Sequence, residues 1–356
     1  MTLTRLDIAH LRNIASATLA PAPRVNLIVG DNGSGKTSLL EAIYLLGRTR
    51  SFRTGQAARL VQFEHPELLV SGIISDADGV PTSIGLRLSR SERELRVGGQ
   101  RAQSSADAAR CFPVLVMHPA SVLLVEGPPS LRRQFMDWGV FHVEHRYLEQ
   151  WRNYSKALNQ RNALLRARRG DGLSGWNQEL ARYGTIVASA RDAYLQRLDP
   201  YVLAATQHFF PGVSIRLEHA AGWRSGRTLS DALGEDVGLD VRNGYTASGP
   251  HKGDFSIFVD ERPAKSFFSR GQSKLMAYAL LLAQASLLES VARPPCLLID
   301  DLSSELDREN RRRLTTLLRQ RDGQCFITAT HASAVEGLPA DAAAMFHVEH
   351  GRISPN

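Results

Sequence analysis

The segment Gly30–Thr37 has the residue types and spacing of a phosphate-binding loop. It reads Gly-Asp-Asn-Gly-Ser-Gly-Lys-Thr and matches the pattern G-x-x-x-x-G-K-[ST] in full. Glycines let backbone amides wrap around phosphate oxygens, and the N-terminus of a following helix adds partial positive charge. We predict that Lys36 reaches the β- and γ-phosphates of a nucleotide and that the Thr37 hydroxyl is a ligand of Mg²⁺. The nucleotide-contacting residues predicted here are Gly30, Asp31, Asn32, Gly33, Ser34, Gly35, Lys36, Thr37 and Ser38.

Two acidic residues follow an apolar run much farther along the chain. Cys296–Ile299 reads Cys-Leu-Leu-Ile and is followed directly by Asp300 and Asp301. In nucleotide hydrolysis one carboxylate at such a position holds Mg²⁺, and a second can polarise the attacking water. We predict that Asp300 is a metal ligand and that Asp301 is the catalytic base. The alternative is a strand whose acids only cap the next turn.

Three further motifs have the order and spacing found in ABC-type ATPases. Ser269–Gln272 matches the signature S-x-G-Q and precedes the acidic strand. Ser304–Asp307 matches the loop S-x-L-D, and His331 follows the next apolar run in the position of a switch histidine. Around Met117–Pro119, where this class usually has a glutamine, the sequence has none. The combination of motifs favours an ABC-type ATPase.

In that class the signature serine and glycine contact the γ-phosphate bound by a second subunit. The resemblance therefore implies an ATP-dependent homodimer that holds two ATP molecules between its subunits. It also implies a catalytic role for His331. The nucleotide-binding residues that it adds are Ser269, Gly271, Gln272 and Asp307.

The elements around the phosphate-binding loop have the patterns of an α/β fold. Val25–Val29 is a short apolar run typical of a buried strand, and Lys36–Gly47 has apolar residues at helical spacing. Residues 67–101 alternate between polar and apolar types and are interrupted by turn signals, which predicts an antiparallel meander. Long helices with many arginines are predicted at Tyr147–Arg169 and Trp176–Phe210.

This order of elements predicts two lobes. Residues 1–118 and 248–356 are expected to form the ABC-type ATP-binding lobe, with a mixed sheet and the antiparallel meander. Residues 119–247 are expected to form an inserted lobe made only of helices. No long heptad repeat is present in the insertion, which argues against the coiled-coil arms of full SMC clamps.

Composition and charge narrow the class of protein. Hydrophobic residues make up 43% and charged residues 22% of the 356 residues, which is ordinary for a globular chain. The longest apolar run, Leu275–Leu288, is short for a bilayer span, and no signal-peptide pattern is present, so we expect a cytoplasmic protein. The net charge is +7, with an excess of Lys and Arg in residues 1–60 and 130–200. Such segments fit a polyanionic partner such as nucleic acid.

Several other segments resemble the RecF family of DNA replication and repair ATPases along nearly the whole chain. One segment, Gly249–Phe255, reads Gly-Pro-His-Lys-Gly-Asp-Phe. Its four residues His251–Asp254 read His-Lys-Gly-Asp, where many members of the family have His-Arg-Asp-Asp. The other segments that carry the resemblance are Leu11–Asn13, Ser51–Arg53, Gly127–Pro129, Arg132–Asp137 and Ser303–Asp307. From the first of these, the resemblance implies that Arg12 and Asn13 contact the nucleotide.

The resemblance implies a cytoplasmic protein of recombinational repair with weak, DNA-dependent ATPase activity that acts as a switch. Its members bind DNA, both duplex and single-strand/duplex junctions, as an ATP-dependent dimer. They act with RecO and RecR to promote RecA loading at gaps and stalled forks, and they support replication restart and the SOS response. The alternative is the ATPase subunit of an ABC transporter, which would need a membrane partner and would show no DNA-dependent ATPase activity.

Overall fold

The computed structural model describes residues 1–168, 172–291, 293–302, 306–335 and 343–355. The strands in these ranges are β1 (Thr2–Leu11), β2 (Ile14–Leu19), β3 (Val25–Val29), β4 (Glu67–Ser75), β5 (Pro81–Ser89), β6 (Arg93–Val97), β7 (Gln100–Arg101), β8 (Val114–Met117), β9 (Ile215–Ala220), β10 (Asp254–Val259), β11 (Arg262–Pro263), β12 (Cys296–Ile299), β13 (Cys325–Ala329), β14 (Ala343–Glu349) and β15 (Arg352–Pro355). The α-helices are α1 (Lys36–Arg48), α2 (Ser105–Cys111), α3 (Leu123–Glu126), α4 (Pro129–Val143), α5 (Tyr147–Arg166), α6 (Leu173–Phe209), α7 (Leu229–Glu235), α8 (Val237–Asn243), α9 (Arg270–Val291) and α10 (Arg308–Arg319).

The chain divides into two compact units. Unit 1 comprises Met1–Ala120 and Leu288–Asn356, and unit 2 comprises Ser121–Leu287. The inserted lobe was expected to end at residue 247, whereas unit 2 continues to Leu287. The reason is long-range pairing, since β10 pairs antiparallel with β9 inside the insertion. The assignment of the chain to an ATP-binding lobe and a helical lobe stays a prediction.

Unit 1 is built on two six-stranded sheets. One has the order β2-β1-β4-β5-β6-β7 and contains the predicted antiparallel meander. The other has the order β15-β14-β3-β13-β12-β8, in which the five strands from β14 to β8 run parallel. The mixed α/β fold predicted from the sequence is confirmed.

Helix α1 packs against both sheets and brings the phosphate-binding loop to the end of a buried strand. Its side chains Leu39, Ile43 and Leu46 are fully buried in one apolar core with residues of both sheets, among them Leu6 and Ile28. Apart from the buried Asn26, strand β3 is apolar, and it pairs with β13 on one side and β14 on the other. The loop that follows therefore starts at the end of a strand that is hydrogen-bonded on both sides.

Unit 2 contains the long helices α5 and α6, which pack against each other. Helix α6 ends at Phe209, one residue before the end predicted for it at Phe210. The expectation of an all-helical insertion is wrong, because β9 lies within it and forms a three-stranded sheet with β10 and β11. The alternation in Ile215–Ala220 matches the burial of one face of that strand, but its partner lies far along the chain.

Helix α9 is longer than the apolar run that marks it in the sequence. It spans 22 residues and, by length and composition alone, is able to cross a membrane. Its apolar window is 67% buried inside the protein, and a core helix passes the same test. Within unit 2, Gln284 of this helix donates to the Phe135 carbonyl at 3.0 Å and to the Tyr194 hydroxyl at 2.8 Å. These buried polar contacts are those of a packed core helix.

Candidate nucleotide-binding site

The phosphate-binding loop is held in shape by its own lysine. Lys36 Nζ donates to the carbonyl oxygens of Gly30, at 2.6 Å, and Asp31, at 2.8 Å. Gly35 precedes the first turn of α1 with a φ of 122°, a conformation that favours glycine. Burial lowers the pKa of Lys36, and Asp301, Asp300 and Asp31 oppose that shift. Among the described residues, the hydrogen-bond partners of this ammonium group are thus carbonyl oxygens of a partly desolvated loop.

The two acids after β12 are joined to this loop and to β13 by hydrogen bonds with threonine hydroxyl groups. Asp300 Oδ1 accepts hydrogen bonds from Thr37 Oγ1 at 2.9 Å and from Thr328 Oγ1 at 3.1 Å. The Asp301 amide donates to Thr328 Oγ1 at 2.7 Å, and Asp301 has a left-handed φ of 54°. Thr328, at the end of β13, therefore joins both acids. Its role was missed in the sequence analysis because it has no motif of its own.

Burial changes the acidity of Asp300. It raises the pKa of this carboxyl, while the hydrogen bonds from Thr37 and Thr328 lower it. A carboxylate whose charged form is penalised by burial gains free energy when a cation binds beside it. The hydroxyl and carboxylate oxygens of Thr37 and Asp300 are ligands that Mg²⁺ prefers. The two residues thus fit the metal role predicted for them.

A cavity of about 560 Å³ opens at the loop and the two acids. Its lining brings together most of the predicted site residues and adds Arg53. The lining residues are Arg12, Asn13, Asn32, Gly33, Gly35, Lys36, Thr37, Ser38, Arg53, Asp300 and Asp301. Next to them, the buried Ser34 hydroxyl has no hydrogen-bond partner among the described residues. A free hydroxyl, a buried cation and loop amides fit a phosphate group.

A buried glutamate holds two arginines beside this cavity. Glu41 of α1 is fully buried and accepts hydrogen bonds from Arg12 at 2.7 Å and 2.9 Å. Arg53 lies 3.7 Å from the same carboxylate, and the Ser51 hydroxyl also donates to it. Neither Glu41 nor Arg53 was predicted as a site residue. The two segments Leu11–Asn13 and Ser51–Arg53 are distant in sequence but share this one carboxylate.

Asn13 is committed to the phosphate-binding loop itself. Its Nδ2 donates to the Ser34 carbonyl at 2.9 Å, and its Oδ1 accepts from Ser38 Oγ at 3.0 Å. The side chain therefore bridges the loop and the first turn of α1. Positioning of the loop is the role that these contacts support for Asn13.

The remaining predicted residues are not part of the cavity lining. Asp307 caps α10 by accepting from the Asn310 amide at 2.8 Å, and His331 is exposed. Ser304 and Glu305 lie outside the described residues. In unit 2, Ser269 and Gln272 cap α9 reciprocally: the Ser269 amide donates to Gln272 Oε1 at 2.9 Å, and the Gln272 amide donates to Ser269 Oγ at 3.3 Å. Gly271 lies in the first turn of this helix and is exposed. These assignments stay predictions.

Two further segments that carry the family resemblance meet in unit 2. Arg132 binds Asp254 through two hydrogen bonds, at 2.7 Å and 2.8 Å. Arg133 donates to the Gly253 carbonyl at 2.8 Å. A bidentate arginine–carboxylate pair fixes both distance and orientation. The segment Arg132–Asp137 thus holds the turn before β10.

Comparisons with known proteins agree with these features. A family model described as the RecF/RecN/SMC N terminal domain matches residues 2–354. A DNA replication and repair protein RecF of Pseudomonas paraeruginosa is 40% identical over 360 residues, covering 99% of this chain and 98% of that protein. The chain belongs to the RecF family. A RecF of Azotobacter vinelandii is likewise 40% identical over 359 residues, with the same coverage.

Solved structures show the same relationship. A structure described as the recombination mediator protein RecF-ATP in the RecFOR pathway has a TM-score of 0.89 and 26% identity, and it covers 100% of this chain and 97% of its own. An SMC head domain from Pyrococcus furiosus has a TM-score of 0.61 at 14% identity, covering 100% of this chain and 96% of its own, which shows a shared fold. The ABC-type fold of the RecF family is confirmed, and an ABC transporter subunit is not favoured.

Proposed function

We propose that this chain is an ATP-dependent DNA-binding protein of recombinational repair that uses slow ATP hydrolysis as a release switch. The observation that carries the proposal is the hydrogen bond between Thr37 Oγ1 and Asp300 Oδ1, at 2.9 Å. It joins the phosphate-binding loop to the acidic strand within one cavity. The RecF relatives and the RecF-ATP structure support ATP as the nucleotide.

In this proposal the residues of the cavity have different roles in the binding and hydrolysis of ATP. Loop amides and Lys36 bind the phosphates, and Thr37 and Asp300 hold Mg²⁺. The metal, when bound, neutralises charge that develops on the transferred phosphoryl group. Asp301 accepts a proton from the attacking water, as a general base. We assign His331 to the same step, because a histidine in the switch position can contact the terminal phosphate.

Completion of the site is proposed to need a second copy of the chain. Ser269, Gly271 and Gln272 would contact the ATP bound by the partner, and Asp307 would lie at the same contact. ATP thereby controls dimer formation, and hydrolysis separates the subunits. The exposed start of α9 supports this assignment, because the N-terminus of a helix has partial positive charge that favours an anion.

The proposed partners are duplex DNA and single-strand/duplex junctions, together with RecR and RecO, and the proposed location is the cytoplasm. The RecFOR pathway named for the related structures supports the protein partners. The net charge of +7 supports the nucleic acid. In this proposal the dimer promotes RecA loading at single-strand gaps and stalled forks and so supports replication restart and the SOS response. No base-reading motif is present in the sequence, so recognition is expected to depend on phosphates.

Analytical sedimentation tests this function directly. We expect a monomer without nucleotide, a dimer with ATP, and a DNA-bound dimer when ATP and duplex DNA are both present; ADP is the matched nucleotide control. DNA affinity should fall about tenfold or more between roughly 50 and 200 mM salt, because bound counterions are released. A sedimentation coefficient that does not change when ATP is added contradicts the ATP-dependent dimer. DNA affinity that does not change with salt, or that depends on one DNA sequence, contradicts the proposed mode of binding.

The assignment of Ser269 to the partner's nucleotide is testable by mixing two inactive variants. Ser269→Arg is expected to bind ATP as a monomer but to lose dimerisation and hydrolysis. Mixed with Lys36→Ala, it should regain partial ATPase activity, since one of the two composite sites in a mixed dimer then has an intact loop and an intact signature. Activity is measured as phosphate release over a range of mixing ratios.

The matched control is Thr228→Arg, because Thr228 also caps a helix of unit 2 by accepting from the Asp231 amide. That variant loses a helix cap without touching the signature, so it should dimerise and hydrolyse ATP normally. If both variants are folded and no mixing ratio restores activity, the two composite sites of a dimer do not hydrolyse ATP independently of each other, or Ser269 does not act on the partner's nucleotide. If the control also loses activity, the loss of dimerisation and hydrolysis in Ser269→Arg is explained by the lost helix cap and not by the signature.

A further inference from the structure

The C-terminal hairpin lies directly against the phosphate-binding loop. β14 pairs in parallel with β3, the strand that leads into the loop, and β15 returns antiparallel to β14. The two strands are joined by His350 and Gly351, whose φ angles are 46° and 79°. Two consecutive left-handed residues are typical of a tight two-residue hairpin turn. Gly351 is buried at this turn.

This turn donates a hydrogen bond to the loop. The Gly351 amide donates to the Ser34 carbonyl oxygen at 2.8 Å, and Asn13 Nδ2 donates to the same oxygen at 2.9 Å. In a trans peptide the carbonyl and the following N–H point in opposite directions. Two donors that fix the Ser34 carbonyl therefore also fix the direction of the Gly35 N–H. Gly35 lines the cavity proposed for ATP.

The contact leaves no room for a side chain. A Cβ atom on Gly351 would lie 2.0 Å from the Asn13 carbonyl oxygen. On the opposite side, a Cβ atom on Gly30 would lie 2.2 Å from the Val348 carbonyl oxygen. Any side chain at position 351 must therefore move the turn, Asn13 or both. Each of these movements disturbs a donor to the Ser34 carbonyl.

We propose that Gly351 is a positioning residue for nucleotide binding, through which the C-terminal hairpin orients the Gly35 amide toward the phosphates. This inference rests on the proposed binding of ATP by the loop. The coupling is reciprocal: if the hairpin contact strengthens ATP binding, bound ATP strengthens the hairpin contact by the same free energy. Bound ATP is therefore expected to hold the hairpin turn in place.

The test compares Gly351→Ala with a matched control, Gly79→Ala. Gly79 has the same φ of 79° in another turn, but a Cβ atom there meets nothing within 4 Å. Both variants thus carry similar backbone strain, and only one displaces a donor to the loop. Affinity for a fluorescent ATP analogue is expected to fall about tenfold in Gly351→Ala, the effect of one disturbed hydrogen bond, and to stay unchanged in Gly79→Ala. Thermal unfolding without nucleotide reports the folding of each variant.

A second measurement uses the unaltered chain. Hydrogen exchange of peptides covering residues 347–355 should slow when ATP is added, and it decides the question alone if Gly351→Ala does not fold. Equal ATP affinity in the two folded variants, or exchange that ATP does not slow, would overturn the inference. If the unaltered chain itself fails to bind ATP, the proposed function has failed instead, so the two failures are distinguishable.

Discussion

Replacement of Lys36 with alanine is expected to weaken ATP binding about a hundredfold or more, because two charge-assisted contacts to phosphate are lost. The structure adds a second reason. Lys36 Nζ also joins the carbonyls of Gly30 and Asp31, so its loss loosens the loop that presents the amides. Titration of a fluorescent ATP analogue measures the affinity. Hydrolysis should fall with it.

The matched control is Lys156→Ala, which removes an exposed lysine from α5 in unit 2. It has the same change in net charge and should bind ATP with unchanged affinity in the absence of DNA. Circular dichroism and thermal unfolding establish that both variants are folded. Unchanged nucleotide affinity in a folded Lys36→Ala protein would remove the basis of the proposed function.

Replacement of Asp301 with asparagine is expected to leave ATP binding intact and to slow hydrolysis by about a hundredfold to ten-thousandfold, the usual contribution of a general base. Asparagine is a suitable probe because Asp301 has a φ of 54°, and asparagine tolerates this left-handed conformation. The backbone donor to Thr328 is retained. A dimer that binds DNA but does not release it should therefore accumulate, as measured by phosphate release and by sedimentation with DNA.

Asp260→Asn is the corresponding control. Asp260 also has a left-handed φ, of 46°, but lies exposed in the turn between β10 and β11. It tests whether an aspartate-to-asparagine change in this conformation affects the fold, and its ATPase rate should equal that of the unaltered chain. If Asp301→Asn hydrolyses ATP at the rate of the control, the base is another residue.

The buried carboxylate of Glu41 illustrates how the fold supports the site at some distance from the phosphates. A fully buried charge without partners strongly destabilises the folded state. In this protein Arg12 and Arg53 lie beside the Glu41 carboxylate and compensate for its burial. Phe52, the neighbour of Arg53 in the chain, packs against Tyr44 and His118, with ring centroids 5.3 Å and 5.1 Å apart. The backbone next to Arg53 is thus anchored by ring contacts within unit 1.

Local physics explains why the phosphate-binding loop and its flanking elements were predictable. Three signals lie within residues 25–48: an apolar strand, the glycines of the loop, and apolar residues at helical spacing after it. Each signal depends only on residues that are close in sequence. The acidic strand was predictable for the same reason. The inserted strand β9 was not predictable, because its partner β10 lies beyond helices α7 and α8, so that only tertiary pairing makes this segment a strand.

The class of this protein follows from local sequence patterns: a phosphate-binding loop, an acidic strand and family-specific segments in fixed order. The other residues that support the loop are brought to it by the folding of the chain. Glu41, Arg53, Thr328 and Gly351 come from separate parts of the chain, and the sequence predicted no role at the loop for any of them. They meet because α1 and the parallel strands bring distant backbone segments within hydrogen-bond distance. Such contacts depend on three-dimensional packing, which spacing along a single chain does not encode.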